Sequence, residues 1–156
     1  MKKRFGLPIL IAGVITIGAS LQGIAEQDAV QRGIKFFDTD PMAHNTYDDG
    51  QCTYYVFDKV KKDGKEIGNS WRDAKHWAKH AERAGYTVND KPKQGAILQS
   101  PRGEVGHVAY IEHIDEHGAL HVSEMNYEQP YKVTSRVIPV ERIHRYAYIH
   151  PKEQTT

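Results

Sequence analysis

One cysteine in 156 residues, Cys52, excludes any disulfide within the chain. A thiol without a partner leaves three readings: an inert core residue, an intermolecular cross-link or a reactive group. Charge of one sign is also lacking, since 21 Lys+Arg stand against 20 Asp+Glu. No basic run or aromatic–basic stripe is present, which excludes nucleic acid as the expected partner. Internal repeats and low-complexity tracts are absent too, so neither a solenoid nor a long disordered tract is expected. What remains is enough chain for one domain with a single sizeable core.

The N-terminus stands apart from this pattern. Lys2, Lys3 and Arg4 precede an apolar stretch from Leu7 to Ala19, broken only by Pro8 and small residues. Gly23 and Ala25 then offer a cleavage site before Glu26, so residues 1–25 read as an export signal. The alternative is an uncleaved anchor, because Leu7 to Ala25 just suffices to span a thin bilayer. Gln22 and the glycines favour cleavage. A membrane is therefore a partner only through this segment, if it is uncleaved. Without its three basic residues, the rest of the chain holds 18 Lys+Arg and 20 Asp+Glu, a formal charge of −2. Exported proteins usually hold their cysteines in pairs, which singles out Cys52 further.

Asp48, Asp49 and Gly50 are turn and N-cap residues, and Thr53, Val56, Phe57 and Val60 then fall at helical spacing. Cys52 is thereby expected in the first turn of a helix, where unpaired N–H groups and the dipole favour a thiolate. Residues 26–44 read as a leader segment, 45–150 as the folded domain and 151–156 as a flexible tail. A second helix of three to four turns is expected from Ser70, with Ala74, Trp77, Ala78 and Ala81 on its apolar face and Gly85 as terminator. From Tyr86 onward the pattern turns to strands: 96–98, 105–114, 120–126, 133–140 and 145–149, with a hairpin at 115–118. Helices followed by a mostly antiparallel sheet make an α+β fold.

A catalytic thiol needs a base, and the base needs an orienting group. Strand alternation places His107, Ala109 and Ile111 on one face, and Val122, Glu124 and Asn126 on one face of the next strand. If the hairpin register aligns them, imidazole, carboxylate and carboxamide point together at the helix of Cys52. Ser123 and Met125 take the opposite face. Solvated polar positions are the plain alternative. His76 and His80 stand at i and i+4 but lack a third ligand and the acid of a zinc motif, so they read as solvated positions. Trp71 and Trp77 read as core anchors, and Tyr54, Tyr110 and Tyr127 as packing residues.

At these residues the chain resembles the CHAP domains, cysteine, histidine-dependent amidohydrolases/peptidases related to the papain-like and NlpC/P60 group. The resemblance runs in order through Tyr47 to Val56, Ile67 to Trp71 with Ala74 and Trp77, and Pro92 to Ile97. It continues through Gly106 to Glu112 and Val122 to Tyr127. It implies a papain-like cysteine hydrolase fold with Cys52 as nucleophile and His107 as general base and acid. Glu124 would orient the imidazole and Asn126 would support it. Gln51, or the Cys52 backbone N–H, would stabilise the oxyanion. The implied substrate is bacterial peptidoglycan, cut at an amide bond as an N-acetylmuramoyl-L-alanine amidase or a peptide endopeptidase. No metal or organic cofactor is implied. The protein would be secreted or cell-wall associated, or else anchored on the outer face of the cytoplasmic membrane.

Two departures, Tyr54 where the family often has Trp and Arg72-Asp73 after Trp71, bear on specificity. Asp48 and Asp49 are similar to part of a calcium cluster of some members, but the other acids are missing and helix capping is the expected role. Rival readings are a secreted amidase or toxin acting on a non-wall amide, and a catalytically silent protein that binds wall peptides.

Overall fold

The apolar spacing after Cys52 folds as a helix, α1, over Cys52–Lys62, which buries Cys52, Thr53, Val56, Phe57 and Val60. The computed structural model describes residues 40–154. The expected export signal and most of the leader lie outside the described residues. Gln51 is the N-cap of α1 and makes no side-chain capping bond. The expected capping by Asp48 or Asp49 is therefore not met: both side chains are exposed. At the helix entrance it is the Asp48 carbonyl that accepts, from the Gln51 N–H at 3.3 Å.

The second helical region also starts later than expected. A 3-10 turn at Ala74–His76 leads into α2, Trp77–Arg83. Arg72 has φ 63°, a left-handed conformation no helix can continue through. Its carbonyl accepts from the Trp77 indole N–H at 3.0 Å, which fixes that break. Trp77 is fully buried, and Trp71 meets it edge to face at 5.4 Å.

Strands β2 (Thr87–Asn89), β3 (Ile97–Ser100), β4 (His107–Ile114), β5 (Leu120–Met125), β6 (Val133–Ile138) and β7 (Ala147–His150) form one six-stranded sheet. Its order is β2-β7-β3-β4-β5-β6, and every pairing is antiparallel. The α+β class is as the sequence implies. Two further strands, β1 (Lys65–Glu66) and β8 (Lys152–Glu153), pair with each other. Lys152 and Glu153 are thus held in a ladder, a correction to the tail expected from 151. At the other end Met42 is fully buried in the main core. Packing therefore begins a few residues before the expected boundary at 45.

The sheet is covered on both faces. One core joins Val56, Phe57, Val60 and Trp77 to Val108, Tyr110 and Ile149. The other gathers Leu98, Ala109, Ile111, Leu120, Val122 and Tyr148 under Ile138, with Ile143 and Tyr146 against it. Ile143 belongs to a 3-10 segment over Val140–Arg145 that the sequence pattern did not reveal. Tyr110 and Glu112 tie α1 to β4. Tyr110 donates to Asp63, and Glu112 pairs with Lys59 at 2.7 Å.

Gly106 sets where β4 begins. Its φ is +77°, and a Cβ there would lie 2.4 Å from the Lys75 backbone N. The Lys75 N–H in turn donates to the Val105 carbonyl at 2.9 Å. Residues 105–106 are thereby strapped to the 3-10 turn, and His107 follows at once. Gly106→Ala should therefore cost more than the roughly 1 kcal/mol of positive φ alone. Gly103→Ala is the control, with φ +64° and open space around it. Thermal melts should show a clearly larger drop for Gly106→Ala; equal drops would refute the strap.

Candidate active site

Cys52 heads α1, and its residue surface is 9% exposed. His107 is the first residue of β4 and is buried, lining one cleft together with Cys52. Glu124, on β5, has no exposed surface. The imidazole Nε2 lies 2.9 Å from Glu124 Oε2. The register explains the pair: Tyr110 stands opposite Ser123 and Ile111 opposite Val122, which puts His107 diagonal to Glu124 on one face.

That face is not the one expected. Ala109, Ile111 and Val122, which share it, pack away from α1, while Val108 and Tyr110 face the helix. His107 meets Cys52 because both stand at the ends of their elements, not because the sheet face is aimed at the helix. Ser123 does take the opposite face and donates to Glu112 at 2.5 Å.

Asn126 is not grouped with His107 and Glu124. It follows the end of β5 with φ 63°, so strand alternation does not reach it. Its amide donates to Gln51 Oε1 at 3.0 Å, and its Oδ1 accepts from the Tyr131 N–H. Asn126 thus bridges the residue before the thiol to the loop after β5. Because Asn126 engages Oε1 of Gln51, the Gln51 NH2 is left as the end able to donate to a ligand.

Arg136 of β6 is the residue the sequence reading missed. Its Nε donates to Glu124 Oε1 at 2.5 Å and its Nη2 to Oε2 at 3.2 Å. Its signal was a lone arginine inside the strand pattern of Val133 to Ile138, but only the β5–β6 register shows what it meets. Tyr127, expected to pack, lies with its ring 5.3 Å from the His107 ring. The guanidinium carbons of Arg136 and Arg102 sit 3.9 and 4.0 Å from its centroid.

Electrostatics follow from this arrangement. Burial disfavours the charge on His107, but Cys52 and Glu124 outweigh it and raise the imidazole above 6.5. Burial likewise pushes Glu124 upward, and hydrogen bonds from His107 and Arg136 reverse that, leaving it below 4.5. Both partners are thus favoured in their ionised forms.

Two clefts meet at the thiol. One of about 610 Å³ is lined by Thr46, Tyr47, Asp48, Asn69, Arg72 and Asp73, and reaches Gln51 and Cys52. The other, about 320 Å³, runs past His107 to Asn126, Glu128, Gln129 and Pro130. Elsewhere, His76 and His80 meet edge to face at 6.2 Å and are half-buried. His113 and His121 stack at 4.1 Å near the hairpin. Among the described residues no group of three His, Cys, Asp or Glu side chains could hold a metal ion.

A sequence model of the CHAP domain matches residues 42–126. Staphylococcal secretory antigen ssaA2 of Staphylococcus aureus is 52% identical over 107 residues, 68% of this chain and 39% of that protein. Staphylococcal secretory antigen SsaA of Staphylococcus epidermidis is 47% identical over 119 residues, 76% of this chain and 45% of that protein. The chain therefore spans less than half the length of these curated relatives. Among solved structures, an N-acetylmuramoyl-L-alanine amidase from Staphylococcus aureus is similar with a TM-score of 0.63 at 28% identity. That match covers 80% of this chain and 39% of the amidase chain. The crystal structure of Ly7917 with the hydrolyzing product of MDP shares the fold, with a TM-score of 0.52 at 20% identity over 67% of this chain and 55% of that one.

The His107–Glu124 pair gives stability a pH window. Glu124, lowered from 4.5, contributes fully above that value and loses its contribution as pH falls through its folded pKa. His107, raised from 6.5, contributes fully below that value and loses it as pH rises through its folded pKa. The stability difference between wild type and Glu124→Gln should therefore peak between 4.5 and 6.5, at on the order of 3 kcal/mol. Melting temperatures of both proteins across pH measure it, and a difference independent of pH would contradict the pairing.

Proposed function

The chain belongs to the CHAP domain family, and on that premise we propose that it hydrolyses an amide bond of bacterial peptidoglycan with Cys52 as nucleophile. Its fold is papain-like, as the amidase likeness indicates. The observation that carries the proposal is a thiol at the head of a helix, beside an imidazole bound to a buried carboxylate, at the junction of two open clefts. A silent binding protein would have no use for a buried ion pair behind its only thiol.

In this reading His107 takes the Cys52 proton, and the sulfur attacks the amide carbonyl. The oxyanion is held by the Cys52 backbone N–H and the NH2 of Gln51. His107 then protonates the leaving amine, and a thioester forms. Water attacks that thioester with His107 as base and restores the thiol. Glu124 fixes the imidazole and balances its charge. The proton must reach the amine from His107, so the leaving strand occupies the cleft past His107 and Asn126. The acyl strand occupies the larger cleft beside Arg72 and Asp73. Asn126 acts through Gln51, by holding its carbonyl end.

Peptidoglycan as substrate is supported by the family and by the amidase neighbour. The bond is the muramoyl–L-alanine amide or a peptide bond of the stem or cross-bridge. Export fits the N-terminal signal pattern and the secretory antigens to which the chain is similar.

Incubation with purified cell walls, followed by mass spectrometry of the products, tests the activity and identifies the bond. Cys52→Ala should lower turnover by about a thousandfold or more, Gln51→Ala by roughly a hundredfold, and Asn126→Ala by less than Gln51→Ala. Excess EDTA should leave turnover unchanged. Wall cleavage by Cys52→Ala at the wild-type rate would overturn the mechanism. Cleavage of simple amides with intact walls untouched would move the substrate outside the wall.

A further inference from the structure

Arg136 stands opposite Val122 in the β5–β6 ladder, and so diagonal to Glu124 on the same face. Its two bonds to the carboxylate, through Nε to Oε1 and Nη2 to Oε2, form a planar fork. The fork fixes the carboxylate plane, and Oε2 is also the atom that meets His107 Nε2. A buried carboxylate with one partner would face a large desolvation cost and would tend to take up a proton. A protonated Glu124 could neither balance an imidazolium nor hold one tautomer of the neutral ring.

Tyr127 closes this arrangement from outside. Its ring lies against the Arg136 guanidinium and beside the His107 ring. We propose that Arg136 is a positioning residue of the site, which orients Glu124 toward His107 and keeps it ionised. The inference deepens the cysteine-hydrolase reading and rests on it for its bearing on turnover.

The groups around Glu124 give the expected pH behaviour its sign. From β4 comes His107, with Cys52 beyond it; from β6 comes Arg136, with Tyr146 near it. Tyr127 lies after β5, with Arg102 on its ring. Among the described residues Arg136 is the one permanent cation bonded to the carboxylate, so removing it must move the Glu124 titration upward.

The test titrates the Glu124 carboxyl by carbon-13 NMR in the full chain, alongside pH profiles of turnover on purified walls. In Arg136→Met the Glu124 midpoint should rise by about one pH unit or more, and the acid limb of turnover should rise with it. Arg136→Lys keeps the charge without the fork. Its midpoint should stay near that of wild type while kcat falls severalfold at unchanged KM. A Glu124 midpoint unmoved in Arg136→Met, or wild-type kcat in Arg136→Lys, would overturn the proposal. Should Arg136→Met fail to fold, the kcat of Arg136→Lys decides. Wild-type protein inactive on walls would overturn the proposed function alone, because the Glu124 titration still decides whether Arg136 holds the carboxylate.

Discussion

A carboxylate with no exposed surface must be paired, and Glu124 imposes that requirement on everything around it. His107 answers from one neighbouring strand and Arg136 from the other. The position of β5 between β4 and the edge strand β6 is what allows both to reach the same group. The pairing also explains the placement of the thiol's neighbour. An imidazole held by a buried anion cannot swing away, so it stays beside Cys52.

The two covered faces of the sheet divide the work. On the α1 face, Val56, Phe57, Val60 and Trp77 pack with Val108 and Tyr110 and hold the helix in place. On the other face, Ala109, Ile111 and Val122 continue into His107 and Glu124. The site therefore lies where the two cores meet the end of the sheet. Gly106 and the Lys75 strap determine that end, since they permit β4 to start at His107 and no earlier.

Much of this was legible in local pattern. The helix after Cys52 follows from 3.6-residue spacing, and strand alternation assigns His107 and Glu124 each to one face of its own strand, which the β4–β5 register then aligns. The expectations that failed needed information from distant residues. Which side of the sheet α1 covers is set by packing, and a strand buried on both faces carries no alternating pattern to reveal it. The late start of α2 depends on a left-handed Arg72 held by the Trp77 indole. Asn126 left the expected group because its own left-handed φ ended the alternation.

Local pattern along the chain was enough for the α+β class, the head of the cysteine helix and the candidate residues Cys52, His107 and Glu124. These depend on residue type and spacing along a few turns of chain. Tertiary structure alone decided that Arg136 shares Glu124, that Gln51 leans on Asn126 and that two clefts join at Cys52. Each joins segments far apart in the chain, and their meeting depends on strand order and register, which a period of two along one strand does not encode.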